Sequence, residues 1–302
     1  MRSWLWCWGG LVMSGLVAAA AGADLQSRLN VPYVAGDAAD PLQRLDAFWL
    51  PEVKDQPVMV YVHGGGWRRG DKRAVGQKPE AFAKHGFAFV SVNYRLHPQV
   101  GFREQSADVA KAIRHVIDTA GKVGVKADSL YLMGHSAGAH LAAMVATDEK
   151  YLQAEGLPLS TIKGVVLLDG AGYDIPTRLK LARPEAETLF ETVFGSDPAE
   201  QKEASPITHV AAGKGIAPFL ILPIAARPES GAQSKALAER LRAAGGDAQV
   251  VACPNQTHGS INQDFGTAEH LATEETFRFL HMQQEKQLRK SLPAPPPARS
   301  PE

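Results

Sequence analysis

The sequence has no net charge and very few cysteines. Its 302 residues include 32 basic and 32 acidic side chains, and only two cysteines. A balanced charge provides no long-range field to attract nucleic acid or an anionic membrane surface. We therefore set nucleic-acid binding aside and expect no stable membrane association of the mature chain.

The amino-terminal segment differs in composition from the rest. Arg2 provides a charged start, an apolar stretch follows from Trp4 to Ala21, and the small residues Ala21-Gly22-Ala23 precede Asp24. This layout is typical of a secretory signal, so residues 1–23 are predicted to be a cleaved signal peptide and the protein to be exported, to the periplasm or outside the cell. A membrane anchor is the alternative, although the apolar run is near the lower length limit for a span.

Cleavage of that signal would remove Cys7 and leave Cys253 as the only cysteine. An intramolecular disulfide is then excluded despite export, and stability must come from the core. The chain also lacks a cysteine cluster and a paired-histidine metal motif. No metal or organic cofactor is expected.

Short apolar runs alternate with helical patterns along residues 24–290 and predict one α/β domain with a mostly parallel, doubly wound sheet. The stretch at about 174–210 lacks a strand run and is predicted to be a cap-like insertion, while the Pro-rich tail 291–302 is predicted to be disordered. Strands are predicted at 30–34, 43–50, 58–62, 87–92, 130–133, 165–168, 219–222 and 248–252, and helices at 107–117, 137–146, 232–244 and about 267–284.

The most informative motif is Gly134-His135-Ser136-Ala137-Gly138, which directly follows the apolar run at 130–133. A G-x-S-x-G pattern between a strand and a helix predicts a nucleophile elbow with Ser136 at its apex. The two glycines keep Cβ atoms away from the crowded crossing of strand and helix. Ser136 is therefore the predicted nucleophile.

A second glycine-rich segment, His63-Gly64-Gly65-Gly66-Trp67, follows the predicted strand at 58–62. Glycines let backbone N–H groups approach a ligand oxygen without a Cβ in the way. Together with the N–H of Ala137, this loop is predicted to form an oxyanion hole.

Among ten histidines, His258 has the position that a catalytic base requires. It lies in a polar loop after the last predicted strand, which places it at the carboxyl edge of the sheet, and it follows the serine in chain order. His63 and His135 are predicted to make structural hydrogen bonds beside their glycines. His140 is predicted to be packed.

Across roughly residues 40–285 the chain resembles the α/β-hydrolase superfamily, and specifically bacterial carboxylesterases akin to hormone-sensitive lipase. The resemblance depends on the H-G-G-G-W loop, the G-x-S-A-G elbow and the late His-Gly pair. It implies Ser136 as nucleophile and His258 as base. It further implies that Gly65, Gly66 and Ala137 supply the oxyanion donors.

The sequence departs from that family at the third triad member. The acid is expected at about Ala226, on the loop after the strand at 219–222, and alanine cannot orient a histidine. Glu229, on the same loop, is the first choice for a replacement acid, and Asp169, after the preceding strand, is the second. Asp174 and Asp264 are weaker choices, and a Ser–His dyad without an acid stays open.

These features predict a serine carboxylesterase that hydrolyses short-chain or aryl carboxylic esters through an acyl-enzyme at Ser136. The expected partner is a small-molecule ester, and the oligomeric state is left open. One alternative is an arylformamidase-like amide hydrolase. Another is a catalytically degenerate binding protein, because alanine occupies position 226, where the family's acid is expected.

Overall fold

The computed structural model describes residues 24–36, 39–180 and 184–291. It contains one eight-stranded sheet with the strand order β1-β2-β4-β3-β5-β6-β7-β8. β1 pairs with β2 and β2 with β4 in antiparallel fashion, and all other neighbours are parallel. The strands are β1 (Gln26–Pro32), β2 (Arg44–Trp49), β3 (Gln56–Val62), β4 (Ala88–Val92), β5 (Val125–His135), β6 (Ile162–Leu168), β7 (Phe219–Leu222) and β8 (Ala248–Val250).

Helices cover both faces of this sheet, as the alternation of apolar runs and helical patterns predicted. They are α1 (Lys78–Lys84), α2 (Phe102–Ala120), α3 (Ala137–Thr147), α4 (Glu149–Ala154), α5 (Ile175–Lys180), α6 (Pro184–Phe194), α7 (Pro198–Glu203), α8 (Pro206–His209), α9 (Pro228–Ala243), α10 (Ser260–Gln263) and α11 (Leu271–Ser291). The doubly wound α/β fold predicted from the sequence is confirmed.

The two faces of the central strand β3 bury alternate side chains in two different clusters. Val58 and Val60 pack with α2 and α3, whereas Met59 and Tyr61 pack with aromatic side chains of α1 and α11. A strand that is covered on both faces has no polar side to alternate with its apolar one. This is why β3 reads as a continuous apolar run in the sequence.

Some predicted boundaries differ from the structure. β5 begins at Val125, five residues before the predicted strand, because its first half carries exposed polar residues such as Lys126 and Asp128 that give no apolar run. The last helix begins at Leu271 rather than near Thr267, after Glu269 adopts a positive φ of 57° that a helix cannot contain.

The region at 174–210, predicted to be an insertion without strands, forms the short helices α5, α6, α7 and α8 where the structure describes it. The predicted signal peptide lies outside the described residues, and so does the predicted disordered tail at 291–302 except for Ser291, which is the last residue of α11. Within the described ranges, no helix is both long and apolar enough to cross a membrane.

The sheet topology determines where the functional loops meet. β3, β5, β6, β7 and β8 run parallel, so their carboxyl ends lie at one edge. Each of these strands is followed by one of the segments that the sequence singled out. The glycine-rich loop, the elbow serine, Asp169, the 225–230 loop and the His258 loop therefore converge at this edge, where open α/β sheets bind ligands.

Candidate active site

Ser136 lies at a sharp turn between β5 and α3. Its backbone has φ 55° and ψ −120°, a conformation that L-residues rarely adopt, and its N–H donates to the carbonyl of Leu168 over 3.0 Å. A Cβ on Gly134 would collide with the carbonyl of Gly138, and one on Gly138 would collide with the carbonyl of Val62. Only glycines fit at these two positions, which confirms the elbow geometry.

His258 connects the serine to a carboxylate. Its Nε2 lies 2.9 Å from Ser136 Oγ, and its Nδ1 lies 2.6 Å from Asp169 Oδ2. A carboxylate only accepts hydrogen bonds, so Nδ1 carries the imidazole proton and the unprotonated Nε2 accepts from the serine hydroxyl. This is the tautomer in which a histidine can take the proton of a nucleophilic serine.

Asp169 is fully buried and has four hydrogen-bond donors. Oδ2 accepts from His258 and from Arg227 Nη1, each over 2.6 Å. Oδ1 accepts from Ser230 Oγ over 2.7 Å and from the N–H of Ile224 over 3.2 Å. Burial alone would raise the pKa of Asp169, but these hydrogen bonds and the charge of Arg227 outweigh it and lower the pKa to about 2. The carboxylate is therefore charged at neutral pH.

The structure does not place Glu229, the first choice for the acid, against His258. Glu229 lies in the first turn of α9, and its Oε1 is 3.4 Å from Arg227 Nε. Arg227 stands between this carboxylate and the imidazole. Asp169 reaches His258 instead because β6 pairs with β5, so that the residue after β6 lies beside the elbow. Asp169, the second choice, thus occupies the place of the acid.

Neither of the weaker choices contacts His258. Asp174 accepts hydrogen bonds from Thr177 at the start of α5. The carbonyl of Asp264 accepts from Thr267 in a turn after α10. A Ser–His pair without an acid is likewise not what the structure shows.

The glycine-rich loop approaches Ser136 closely. A Cβ on Gly64 would lie 3.0 Å from the Cβ of Ser136, and Gly65 and Gly66 have positive φ values of 128° and 61°. Across the described ranges, the N–H groups of Gly65, Gly66 and Ala137 have no protein acceptor. These three groups at the serine are therefore available to a substrate oxygen, as an oxyanion hole requires.

Trp67 anchors this loop beneath the inserted helices. It is buried, has a positive φ of 60°, and donates from Nε1 to His140 Nδ1 over 3.1 Å. Its ring makes edge contacts with Phe190 and Phe194 of α6. These ring contacts fix the glycine-rich loop against α6.

An open cleft of about 890 Å³ leads to the serine. The glycine-rich loop, Ser136 and His258 form its floor, and Leu189 of α6 forms part of its wall. Arg68 and Arg69 also line it, and both are exposed. In the part of the chain that the structure describes, neither guanidinium has an ion-pair or hydrogen-bond partner.

The other motif histidines have structural contacts. His135 donates from Nε2 to the carbonyl of His258 over 2.8 Å, and burial lowers the pKa of His135 to about 3, so this ring is neutral. His63 bonds the carbonyl of Gly64 through Nδ1. His140 is fully buried between Trp67 and the carbonyl of Ala204.

Sequence reasoning missed two residues of this site. Arg227 and Ser230 both bind the Asp169 carboxylate, and both come from the loop where the family's acid was expected. An arginine beside the vacant position was the available signal, because a buried carboxylate nearby would need a cation.

The free thiol of Cys253 is buried, which raises its pKa to about 12 and makes it a poor nucleophile. No three His, Cys, Asp or Glu side chains in residues 24–36, 39–180 and 184–291 are grouped so that they could hold a metal ion.

Comparison with known proteins agrees with this geometry. The family model BD-FAE matches residues 45–241, about two thirds of the chain. The chain belongs to the BD-FAE family. A crystal structure of esterase B from Lactobacillus rhamnosis superposes with a TM-score of 0.74 at 22% identity, over 89% of this chain and 90% of that one. The α/β-hydrolase fold expected from the motifs is thus confirmed.

Curated relatives include two differently named enzymes. Kynurenine formamidase from Salmo salar is 33% identical over 152 residues, which are 50% of this chain and 47% of the relative. The isoprenylcysteine alpha-carbonyl methylesterase ICME from Arabidopsis thaliana is 28% identical over 279 residues, 85% of this chain and 62% of the relative. The BD-FAE member described here thus spans about half to three fifths of the length of these relatives.

Proposed function

We propose that the protein is a serine carboxylesterase that hydrolyses short-chain or aryl carboxylic esters. The observation that carries this proposal is the continuous chain of hydrogen bonds from Ser136 Oγ through His258 to Asp169, with distances of 2.9 and 2.6 Å. A serine, a base in the correct tautomer and a charged carboxylate are the three parts that acyl transfer from an ester requires.

Acylation follows from these positions. His258 Nε2 takes the proton of Ser136 as Oγ attacks the ester carbonyl carbon, and the carbonyl oxygen becomes negative. The free N–H groups of Gly65, Gly66 and Ala137 stabilise that oxygen, a contribution of about 100- to 1,000-fold in rate for a single donor. The imidazolium then gives its proton to the departing alkoxide oxygen, which leaves as the alcohol.

Deacylation uses the same groups in reverse. Water enters the open cleft, gives a proton to His258 and attacks the acyl carbon of the ester at Ser136. Collapse of the second tetrahedral intermediate breaks the bond to Oγ, and the imidazolium returns the proton to the serine. The products are a carboxylic acid and the regenerated hydroxyl.

The shape of the cleft favours substrates with short acyl groups. Leu189 lines the cleft and lies against the glycine-rich loop, where a Cβ on Gly66 would be 3.6 Å from its methyl groups. Such close approach leaves little room beside the oxyanion loop for a long chain. The name of ICME describes that relative as a methylesterase, which agrees with hydrolysis of a carboxylic ester.

Amide hydrolysis of the arylformamidase type is the second candidate function. The similarity to kynurenine formamidase favours it, and the same triad can protonate an amine leaving group. The binding-protein alternative loses its basis, because Asp169 supplies the carboxylate that Ala226 lacks.

A fluorophosphonate probe and a panel of esters test the proposal. We expect mass spectrometry to find one probe adduct, on the peptide that contains Ser136, and we expect p-nitrophenyl acetate and butyrate to be hydrolysed. Faster turnover of N-formyl aniline than of any ester would favour the amide hydrolase. Absence of both labelling and hydrolysis would contradict the esterase.

Export of the protein is also proposed, on the composition of residues 1–23. The test is amino-terminal sequencing of the protein recovered from the producing cells. A start at or near Asp24 supports cleavage of a signal peptide. A chain that retains Arg2 and fractionates with membranes would support the anchor instead.

A further inference from the structure

Arg227 takes up space beside the catalytic histidine that the family's acid was expected to fill. It follows Ala226 on the loop after β7, and its Nη1 lies 2.6 Å from Asp169 Oδ2 and 2.8 Å from His258 Nδ1. Both nitrogens carry protons directed at the same carboxylate oxygen. The imidazole and the guanidinium therefore share one acceptor and face each other as donors.

A buried carboxylate needs a cation, and a histidine must be neutral before it can act as a base. The fully buried Asp169 would then lack a charge partner without Arg227. Ser230 and the N–H of Ile224 bind the other oxygen but carry no charge. Arg227 therefore holds the acid ionised and oriented before the reaction starts.

During the reaction the same guanidinium faces the imidazolium that forms. Like charges at this separation repel, so Arg227 opposes protonation of His258 while Asp169 favours it. Glu229 lies on the far side of Arg227, with Oε1 3.4 Å from Nε. Arg178 of α5 is a further cation, close enough to interact electrostatically with both Glu229 and Arg227.

We infer that Arg227 is a positioning residue that holds Asp169 in the place of the family's acid and sets the pH range over which His258 acts as a base. Glu229 is its counter-charge. This inference rests on the proposed esterase function. It adds Arg227 and Glu229 to the series of interacting side chains that begins with Ser136, His258 and Asp169.

Two further titratable groups are near His258, namely His135 and, beyond it, Lys78. His135 contacts His258 at a ring separation of 4.7 Å, but the pKa of His135 is about 3 because of burial. Lys78 lies near His135, and burial lowers the pKa of Lys78 to about 7, so it titrates within the assay range. Because Lys78 is present in every variant below, differences between their pH profiles report on Arg227.

The experiment compares pH profiles of kcat/KM for Arg227→Met, Arg227→Lys and the wild-type protein with p-nitrophenyl butyrate. Loss of the cation makes His258 easier to protonate, both by removing repulsion and by leaving Asp169 to attract the proton. We expect the acidic limb of the Met variant to move upward by about one pH unit, which corresponds to about 1.4 kcal/mol. Its kcat should fall by about 10- to 100-fold, less than the roughly 10,000-fold cost of losing a triad acid.

Two further variants make the test sharper. Arg227→Lys keeps the charge and should keep the acidic limb of the wild type. Glu229→Gln removes the counter-charge and should move that limb downward, opposite to Arg227→Met. Arg240→Met is the matched control, because Arg240 lies on the adjoining helix α9 and its guanidinium donates to the carbonyl of Val210.

A merely structural role would lower the melting temperature and kcat without moving the profile. Superimposable acidic limbs of Arg227→Met and wild type would overturn the inference, and so would a downward shift. If the Arg227→Met variant fails to fold, an acidic limb of Glu229→Gln that is identical to that of wild type would also overturn the inference. Failure of the proposed function itself is distinguishable, because wild type would then be no faster than Ser136→Ala.

Discussion

The carboxylate of Asp169 lies 2.6 Å from Nδ1 of His258, although Asp169 follows β6 and not β7. The acid has thus moved by one strand relative to the position implied by the motifs. The histidine still meets it because the carboxyl ends of β6, β7 and β8 lie next to one another in the sheet. A triad is defined by the geometry of its members rather than by which strand each member follows.

Asp169→Asn and Glu229→Gln should differ widely in activity. Removing the carboxylate charge at Asp169 should lower kcat by about 1,000- to 10,000-fold, because His258 loses the partner that fixes its tautomer. Glu229→Gln should change kcat by no more than a few fold at the pH optimum, since Glu229 pairs with Arg227 and not with His258. Steady-state kinetics with p-nitrophenyl acetate measure both. An equal loss in the two variants would contradict the assignment of the acid.

Lys78 should make stability depend on pH. It is fully buried, its Nζ donates to the carbonyl of Asn262 over 2.5 Å, and burial lowers its pKa to about 7. Since the folded pKa lies below the unfolded value of about 10.4, the unfolded chain binds more protons between these values, and stability rises with pH from 7 to about 10.

The corresponding measurement is urea denaturation of Lys78→Met at pH 7 and pH 10. We expect the variant's free energy of unfolding, minus that of wild type, to be larger at pH 7 than at pH 10 by a few kcal/mol. Lys84→Met, which removes an exposed lysine from the same helix, is the control. A pH-independent difference for Lys78→Met would refute the argument.

Leu189 should limit the length of the acyl group. It lines the cleft beside Gly66, and truncating it to alanine would open space next to the oxyanion loop. The Leu189→Ala variant should raise kcat/KM for p-nitrophenyl hexanoate relative to acetate by roughly 10-fold, the effect expected for one or more methylenes newly accommodated. Leu29→Ala, at an exposed leucine on β1, should leave the ratio unchanged. A fall in the ratio for Leu189→Ala would place the acyl group elsewhere.

Arg68 and Arg69 should favour esters that carry a negative charge. Both line the cleft as cations without an acidic partner among the described residues, whereas the nearby Asp71 is paired with Arg73. The double variant Arg68→Gln/Arg69→Gln should lower kcat/KM for p-nitrophenyl hemisuccinate by about 10-fold at low salt and leave that for p-nitrophenyl acetate unchanged. Arg73→Gln, outside the cleft, is the control. Equal effects on both esters would show that charge is not recognised here.

The sequence was sufficient to predict the elements that depend on local patterns. The buried strands give continuous apolar runs, the glycines at Gly134 and Gly138 mark a turn that excludes Cβ atoms, and His258 follows the last strand. Ser136 and His258 could therefore be named, and the structure places them 2.9 Å apart.

The acid could not be chosen from the sequence, because the choice depends on strand pairing and on the paths of side chains. Glu229 is nearer the expected position along the chain, but the guanidinium of Arg227 blocks its path to the histidine. Asp169 becomes available only once β6 is known to lie beside β5. The contact between Arg227 and Asp169 joins residues 58 positions apart and leaves no local pattern.

The most direct test of the account is the hydrolysis of p-nitrophenyl acetate and butyrate by the wild-type protein and by Ser136→Ala at equal concentration. We predict saturable hydrolysis by the wild type and a loss of about a million-fold in kcat in the variant, close to the cost of removing a catalytic serine elsewhere. Circular dichroism spectra that agree between the two would show that the fold is unchanged. Rates for wild type no higher than those for Ser136→Ala would contradict the esterase and the catalytic role of the triad.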